Sequence, residues 1–260
     1  MNSLRVTAAL PSRRAVSFVG KRLCSSSRKT ETQLGSRPMM GRPSSSAGLS
    51  SFIAPRRSDP ETPAPQPASV ADPVFATKAL RKFLTCLTSR ELPVLLDLGP
   101  VVGSNVAFFG EQLGCKIFVE DIFADLDRHV RDGKLDAFAE FLKTRFPQAD
   151  GTVDGILCWD LIDYLDRRAA QELANHLTRV LRPEGALLGF FGTARPRDTR
   201  YTKYIIVDEV NLRHRSYPAA RGRQAILLNR DIIRLFSGLR VSDSFLLLNN
   251  LREILFRKPA

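Results

Sequence analysis

The sequence predicts an α/β fold: a doubly wound, mostly parallel, Rossmann-like sheet closed by a C-terminal antiparallel hairpin. Three observations carry that prediction. Short, almost wholly apolar runs ("PVLLDLG", "DGILCW", "ALLGFFG") read as strands buried on both faces. Segments with apolar residues three or four apart alternate with them. The last stretch, "RVSDSFLLLNNLREILFRK", reads as two strands turning at Asn249-Asn250.

In chain order, Asp72-Pro73 is a cap and first-turn pair for a helix that carries Phe75, Ala79, Leu80, Phe83, Leu84 and Leu87 on one face. "PVLLDLG" is the first buried strand. Val102, Val106, Phe109 and Leu113 make the next helix face, stopped by Gly114. "CKIFVED" is a strand ending in two acids, which completes a strand–loop–helix–strand unit. Leu135, Phe138, Phe141 and Leu142 place helix, not strand, before "DGILCWDLIDYL". A helix from about Arg167 to Leu181 leads through "RPEG" into "ALLGFFG". Tyr204–Val207 and Val210–Ser216 read as two short strands around Asp208-Glu209, and Asn229 as the N-cap of a short helix.

Charge divides the chain. Of 39 Lys/Arg and 27 Asp/Glu, residues 1–70 hold 11 and 3, leaving 28 against 24 for the rest. The net +12 therefore comes mainly from a Ser/Pro-rich tail, and it is poor grounds for a nucleic-acid role of the folded part. The tail composition fits a disordered leader, with a mitochondrial presequence or a basic arm as alternatives. A cytoplasmic location is the default, and a mitochondrial one follows if the tail is a presequence. Four scattered cysteines and three scattered histidines suggest neither disulfides nor a metal site. No apolar run approaches the roughly 20 residues of a membrane helix.

The chemistry concentrates at "LLDLGPVVGSN". Gly99 and Gly103 let backbone approach a ligand, and Glu120 lies 21 positions after Gly99, where an acid can hold a ribose diol. Val101 stands where many such loops carry a middle glycine, and the spacing excludes the G-x-G-x-x-G dinucleotide form. Asp97 would repel a pyrophosphate and attract a cationic cofactor.

These residues resemble motif I of the class I S-adenosylmethionine-dependent methyltransferases. "KIFVED" is similar to that family's ribose-binding segment, "LTRVLRPEGALLGFF" to its helix–turn–strand, and the last hairpin to its reversed strand. The resemblance implies S-adenosylmethionine as cofactor, with Asp97, Gly99 and Gly103 around its methionine part. It places the ribose on Glu120, with Asp121 as the competing acid and Trp159 as a stacking aromatic. The family's adenine-contacting acid has no clear counterpart; Asp150 and Asp154 are the substitutes. Asp160, Asp163 and Tyr164 fall on the acceptor rim, Asp160 and Tyr164 being candidates for catalysis and no metal being implied. For each, a packing or capping role is the plain alternative.

The organisation expected is thus a disordered tail and linker over 1–72 and a methyltransferase-like domain over 73–260 with a basic insertion at about 195–223. That insertion favours an anionic acceptor, a small molecule ahead of RNA. The function expected is methyl transfer to an unidentified acceptor, with no membrane partner and an open oligomeric state. The alternatives are a methyltransferase-like binding module with weak or lost catalysis, and an RNA-binding protein using tail and flap.

Overall fold

In the computed structural model of the protein, residues 72–194, 199–224 and 226–260 are described; the expected tail, apart from Asp72, and residues Arg195 and Arg197 of the basic insertion lie outside them. A six-stranded sheet runs in the order β3-β2-β4-β5-β9-β8, with β2 (Val94–Asp97), β3 (Lys116–Val119), β4 (Val153–Trp159) and β5 (Leu181–Gly192) parallel. Strand β9 (Leu251–Arg257) runs antiparallel to β5, and β8 (Arg240–Leu246) antiparallel to β9, giving the reversed hairpin expected at Asn249-Asn250. A second, antiparallel sheet has the order β1-β7-β6: β1 (Val74–Ala76), β7 (Asn211–Pro218) and β6 (Arg200–Asp208).

The apolar runs behave as central strands must. All seven residues of β4 are buried, whereas β8, at the sheet edge, alternates in exposure. Two apolar cores lie on the two faces. One gathers α3 (Ile122–Arg131), α4 (Phe138–Arg145), α5 (Arg167–Val180) and α6 (Asn229–Leu235). The other gathers α1 (Leu80–Thr88) and the inner residues of the small sheet, Tyr204, Ile206 and Leu212. Helix α1 presses close: a Cβ on Gly155 of β4 would come within 2.8 Å of Leu87 and 2.9 Å of Phe83. Helix α5 buries Ala169, Ala170, Leu173, Ala174, Leu177 and Val180, with Asp166 capping it through Ala169 N. Each fully buried leucine of this kind stabilises the fold by roughly 1.5–3 kcal/mol.

Two expectations need correction. The first helix begins at Leu80 rather than beside Pro73, because Val74, Phe75 and Ala76 pair with Arg213, Leu212 and Asn211 of β7. That partner is remote in sequence, so local periodicity could not reveal it. Asn229 is the first residue of α6, not its cap; Leu228 holds the cap position with no side-chain bond. The two strands expected around Asp208-Glu209 are present as the hairpin β6 and β7, each longer than expected. Between β3 and β4 the described chain is helical, as the spacing indicated, and the sheet ends at β3.

Candidate functional site

The site grows from the carboxyl ends of β2 and β3. Strand β2 stops at Asp97, and Leu98 N still bonds Leu157 O of β4, so the chain turns while pinned to the sheet. Gly99 N donates to Asp97 Oδ1 at 2.9 Å. A Cβ at Gly99 would sit 2.7 and 2.8 Å from Cδ1 and Nε1 of Trp159, so glycine is the residue that lets the indole lie against this loop. Gly103 serves differently, opening α2 (Gly103–Ala107), and nothing lies within 4 Å of where its Cβ would be. Val101 is 47% exposed and turns its bulk away from the buried loop wall.

Trp159 closes β4 with φ +48°, a left-handed conformation that costs a bulky residue energy and is sustained only by its surroundings. Those surroundings are extensive. The indole is 3% exposed, and its Nε1 donates to Asp97 Oδ1 at 2.6 Å. Its ring stacks on Tyr204 of β6 with centroids 5.2 Å apart and planes 6° from parallel, and Phe190 of β5 meets it edge-on at 5.6 Å. The small sheet is tied down beside it. Asn105, in the first turn of α2, donates to Tyr204 O at 2.8 Å and accepts from Ile206 N at 2.9 Å. Burial pushes the Asp97 carboxyl up to about 6, opposed by the bonds from Gly99 N–H and the Trp159 indole.

Glu120 follows β3, its N donating to Asp97 O at 2.7 Å, so the two acids end neighbouring strands. Its side chain is 1% exposed and is paired with Arg145 of α4 and, at 3.2 Å, with Gln148 Nε2. Arg145 also reaches Asp125 Oδ2 at 2.7 Å. Asp121, half-buried, caps α3 by accepting from Ala124 N at 3.0 Å, and burial raises its carboxyl above the usual range.

The rim residues form a buried ionic knot. Asp160 Oδ2 lies 2.7 Å from Arg223 Nη2; Asp163 Oδ2 accepts from Gly192 N at 2.6 Å and stands 3.6 Å from Arg223 Nε. Burial pushes Asp163 up to about 7 against the pull of Arg223. Tyr164 donates to Arg200 O at 2.8 Å. Asp160 and Tyr164, expected on an acceptor rim, therefore anchor the segment that carries the small sheet, because Arg223 folds inward with its side chain only 14% exposed. Asp150 and Asp154 lie at the other end of the sheet: Asp150 pairs with Arg179, and Asp154 accepts from Val94 N at 2.8 Å and Arg182 at 2.8 Å. Neither approaches the loop, since both sit where β4 begins.

Sequence reasoning missed Asn105, Arg145, Tyr204 and Arg223. Tyr204 begins one of the expected strands and Arg223 closes the basic insertion at about 195–223, and that insertion was the available signal. A cavity of about 400 Å³ lies between α5 and α6 and borders the knot at Asp163, lined also by Ile162, Leu165, Arg167, Leu227 and Arg234, among others. No helix among the described residues is long and apolar enough to cross a membrane.

Neither a protein-family model nor a curated protein sequence matches the chain. Solved structures do align with it. The N1-methyltransferase for 1,6-didemethyltoxoflavin of Burkholderia thailandensis, bound to that compound and S-adenosylhomocysteine, aligns at 15% identity over 70% of this chain and 79% of its own, TM-score 0.41. The CcbJ methyltransferase of Streptomyces caelestis aligns at 12% identity over 69% and 95%, TM-score 0.42. The PH0226 protein of Pyrococcus horikoshii aligns at 16% identity over 69% and 88%, TM-score 0.43.

S-adenosylmethionine is the group the sequence resemblance implies, and the residues meet its chemistry. A carboxylate offers about four acceptor positions, and Asp97 and Glu120 each use two in the hydrogen bonds described above. Gly99 leaves a cradle that a Cβ would fill, and the Trp159 indole occupies it.

Proposed function

We propose that the protein is an S-adenosylmethionine-dependent methyltransferase whose cofactor lies over the loop from Asp97 to Gly103. One observation carries this reading: two carboxylates and a side-chain-free glycine meet at the carboxyl ends of adjacent parallel strands, where open α/β sheets hold ligands. Asp97 would sit by the cationic end of the cofactor, Glu120 by its ribose, and the Gly99 backbone between them. When bound, the cofactor supplies an activated methyl group on a sulfonium. The chain's own share is alignment and exclusion of water, for which the aromatic pair Tyr204 and Phe190 is suited. No base is assigned, because Asp160, Asp163 and Tyr164 are committed to the knot around Arg223 and Arg200. The cations of β6 and β7, Arg200, Lys203 and Arg213, favour an anionic acceptor.

Equilibrium dialysis of the full chain with labelled S-adenosylhomocysteine tests the reading. Saturable binding that weakens in Glu120→Gln, with folding checked by circular dichroism, supports it. Binding indifferent to Glu120→Gln moves the ligand elsewhere. No binding at millimolar ligand, by the wild type or by variants that open the loop, overturns it.

A further inference from the structure

The arrangement around Trp159 has a consequence for how any ligand reaches the loop, on the cofactor reading above. The indole fills the space over Gly99, and its N–H takes an oxygen of Asp97. Both features are those a ligand at the cradle needs. The geometry points to Trp159 as an internal competitor for the cofactor site, held in place by the β6–β7 hairpin, so that the ligand enters only when the indole leaves.

Four observations support this. The indole is almost fully buried and is not a rim aromatic awaiting a partner. Its Cδ1–Nε1 edge lies against Gly99 and Asp97, and one of its faces stacks on Tyr204 at 5.2 Å. Its backbone is held in the left-handed region at φ +48°, a strained state that persists only while the packing around it does. The hairpin that backs it belongs to a separate three-stranded sheet, joined to α2 through the two hydrogen bonds of Asn105. That sheet can shift without unpairing the central one.

The thermodynamic form is simple. If the open state is a fraction f of the molecules, the apparent dissociation constant is the intrinsic one divided by f. Whatever destabilises the closed state then tightens binding without adding a contact. Trp159 is thereby a residue that sets affinity, and the hairpin's acceptor side becomes coupled to cofactor binding, because Tyr204 belongs to both.

Calorimetric titration of S-adenosylhomocysteine into the full-length wild type, Trp159→Ala, Trp159→Phe and Asn105→Ala decides the matter. Asn105→Ala removes the hairpin's two hydrogen bonds to α2 and leaves the cradle residues intact, and Trp159→Phe keeps a ring in the core should the alanine variant not fold. About tenfold or greater tightening in Trp159→Ala and Asn105→Ala, with a smaller gain in Trp159→Phe, is expected. Measurable binding that is equal in all four proteins overturns the competition while leaving the cofactor reading intact. Weaker binding in the Trp159 variants makes the indole a ligand contact, which also overturns it. No binding by any folded variant at millimolar ligand overturns the cofactor reading itself, and the competition with it.

Discussion

Asp97 and Glu120 end adjacent strands, and both are buried, but they are held by different means. Glu120 is held by a cation: Arg145 pairs with it and with Asp125 from a helix on the opposite side of the acid. Asp97 is held by neutral donors alone, a backbone N–H and an indole N–H. A buried carboxylate with a buried guanidinium is a fixed fixture, since neither partner can leave without stranding the other. A buried carboxylate answered by an indole is exchangeable, because another donor or cation can replace the ring. The comparison separates a permanent wall of the cradle from its movable one.

The largest expected effect lies on the fixed side. Arg145→Met should destabilise the fold by about 3–5 kcal/mol in denaturant unfolding, by leaving Glu120 and Asp125 without their shared partner. A loss below about 1 kcal/mol would mean that the pair is solvated and the contrast with Asp97 is lost. Next comes pH. With Asp97 raised from 3.8 to about 6, its stabilising contribution is full below about pH 4 and is lost as pH rises to about 6. Asp97→Asn cannot ionise, so its stability relative to wild type should rise across pH 4–6 by on the order of 3 kcal/mol and level off above. A difference that stays flat over that window would contradict the buried, neutrally held carboxyl.

Smaller effects probe the movable wall. Trp159→Phe keeps an aromatic in the stack but removes the donor to Asp97, and should cost about 1–3 kcal/mol in thermal or chemical unfolding. Asn105→Ala, which cuts the hairpin's two bonds to α2, should cost about 1–2 kcal/mol. If it also speeds hydrogen exchange at Tyr204–Ile206 and leaves β4 unchanged, the hairpin moves as a unit.

Much of the fold was readable in the sequence, and the divide follows contact range. Strand β4, helix α5 and the terminal hairpin were legible because burial on both faces, a 3.6-residue stripe and an Asn-Asn turn are local signals. Strand β1 was not, since three residues become a strand only when β7 arrives from about 140 positions away. At the site, Asp97, Gly99 and Glu120 stood out by residue type and spacing. Their partners did not: Arg145 reads as an ordinary basic residue in a last helical turn, and Tyr204 as the first residue of a short strand. Arg223, counted among the charges of the basic insertion, is buried against two acids. Long-range ion pairs leave no periodicity, so a sequence reveals the acid and hides the cation that answers it.

Trp159 is the chain's single tryptophan, so its emission reports the cradle directly. Titration of the full-length protein with S-adenosylhomocysteine, followed by fluorescence and acrylamide quenching, tests the central claim that ligand and indole compete for one space. Competition predicts a saturable red shift and increased quencher access as the indole moves from a buried stack toward water. Saturable binding, confirmed by calorimetry on the same sample, with emission and quenching unchanged would show the ligand seated while the indole stays over Gly99, and would contradict it.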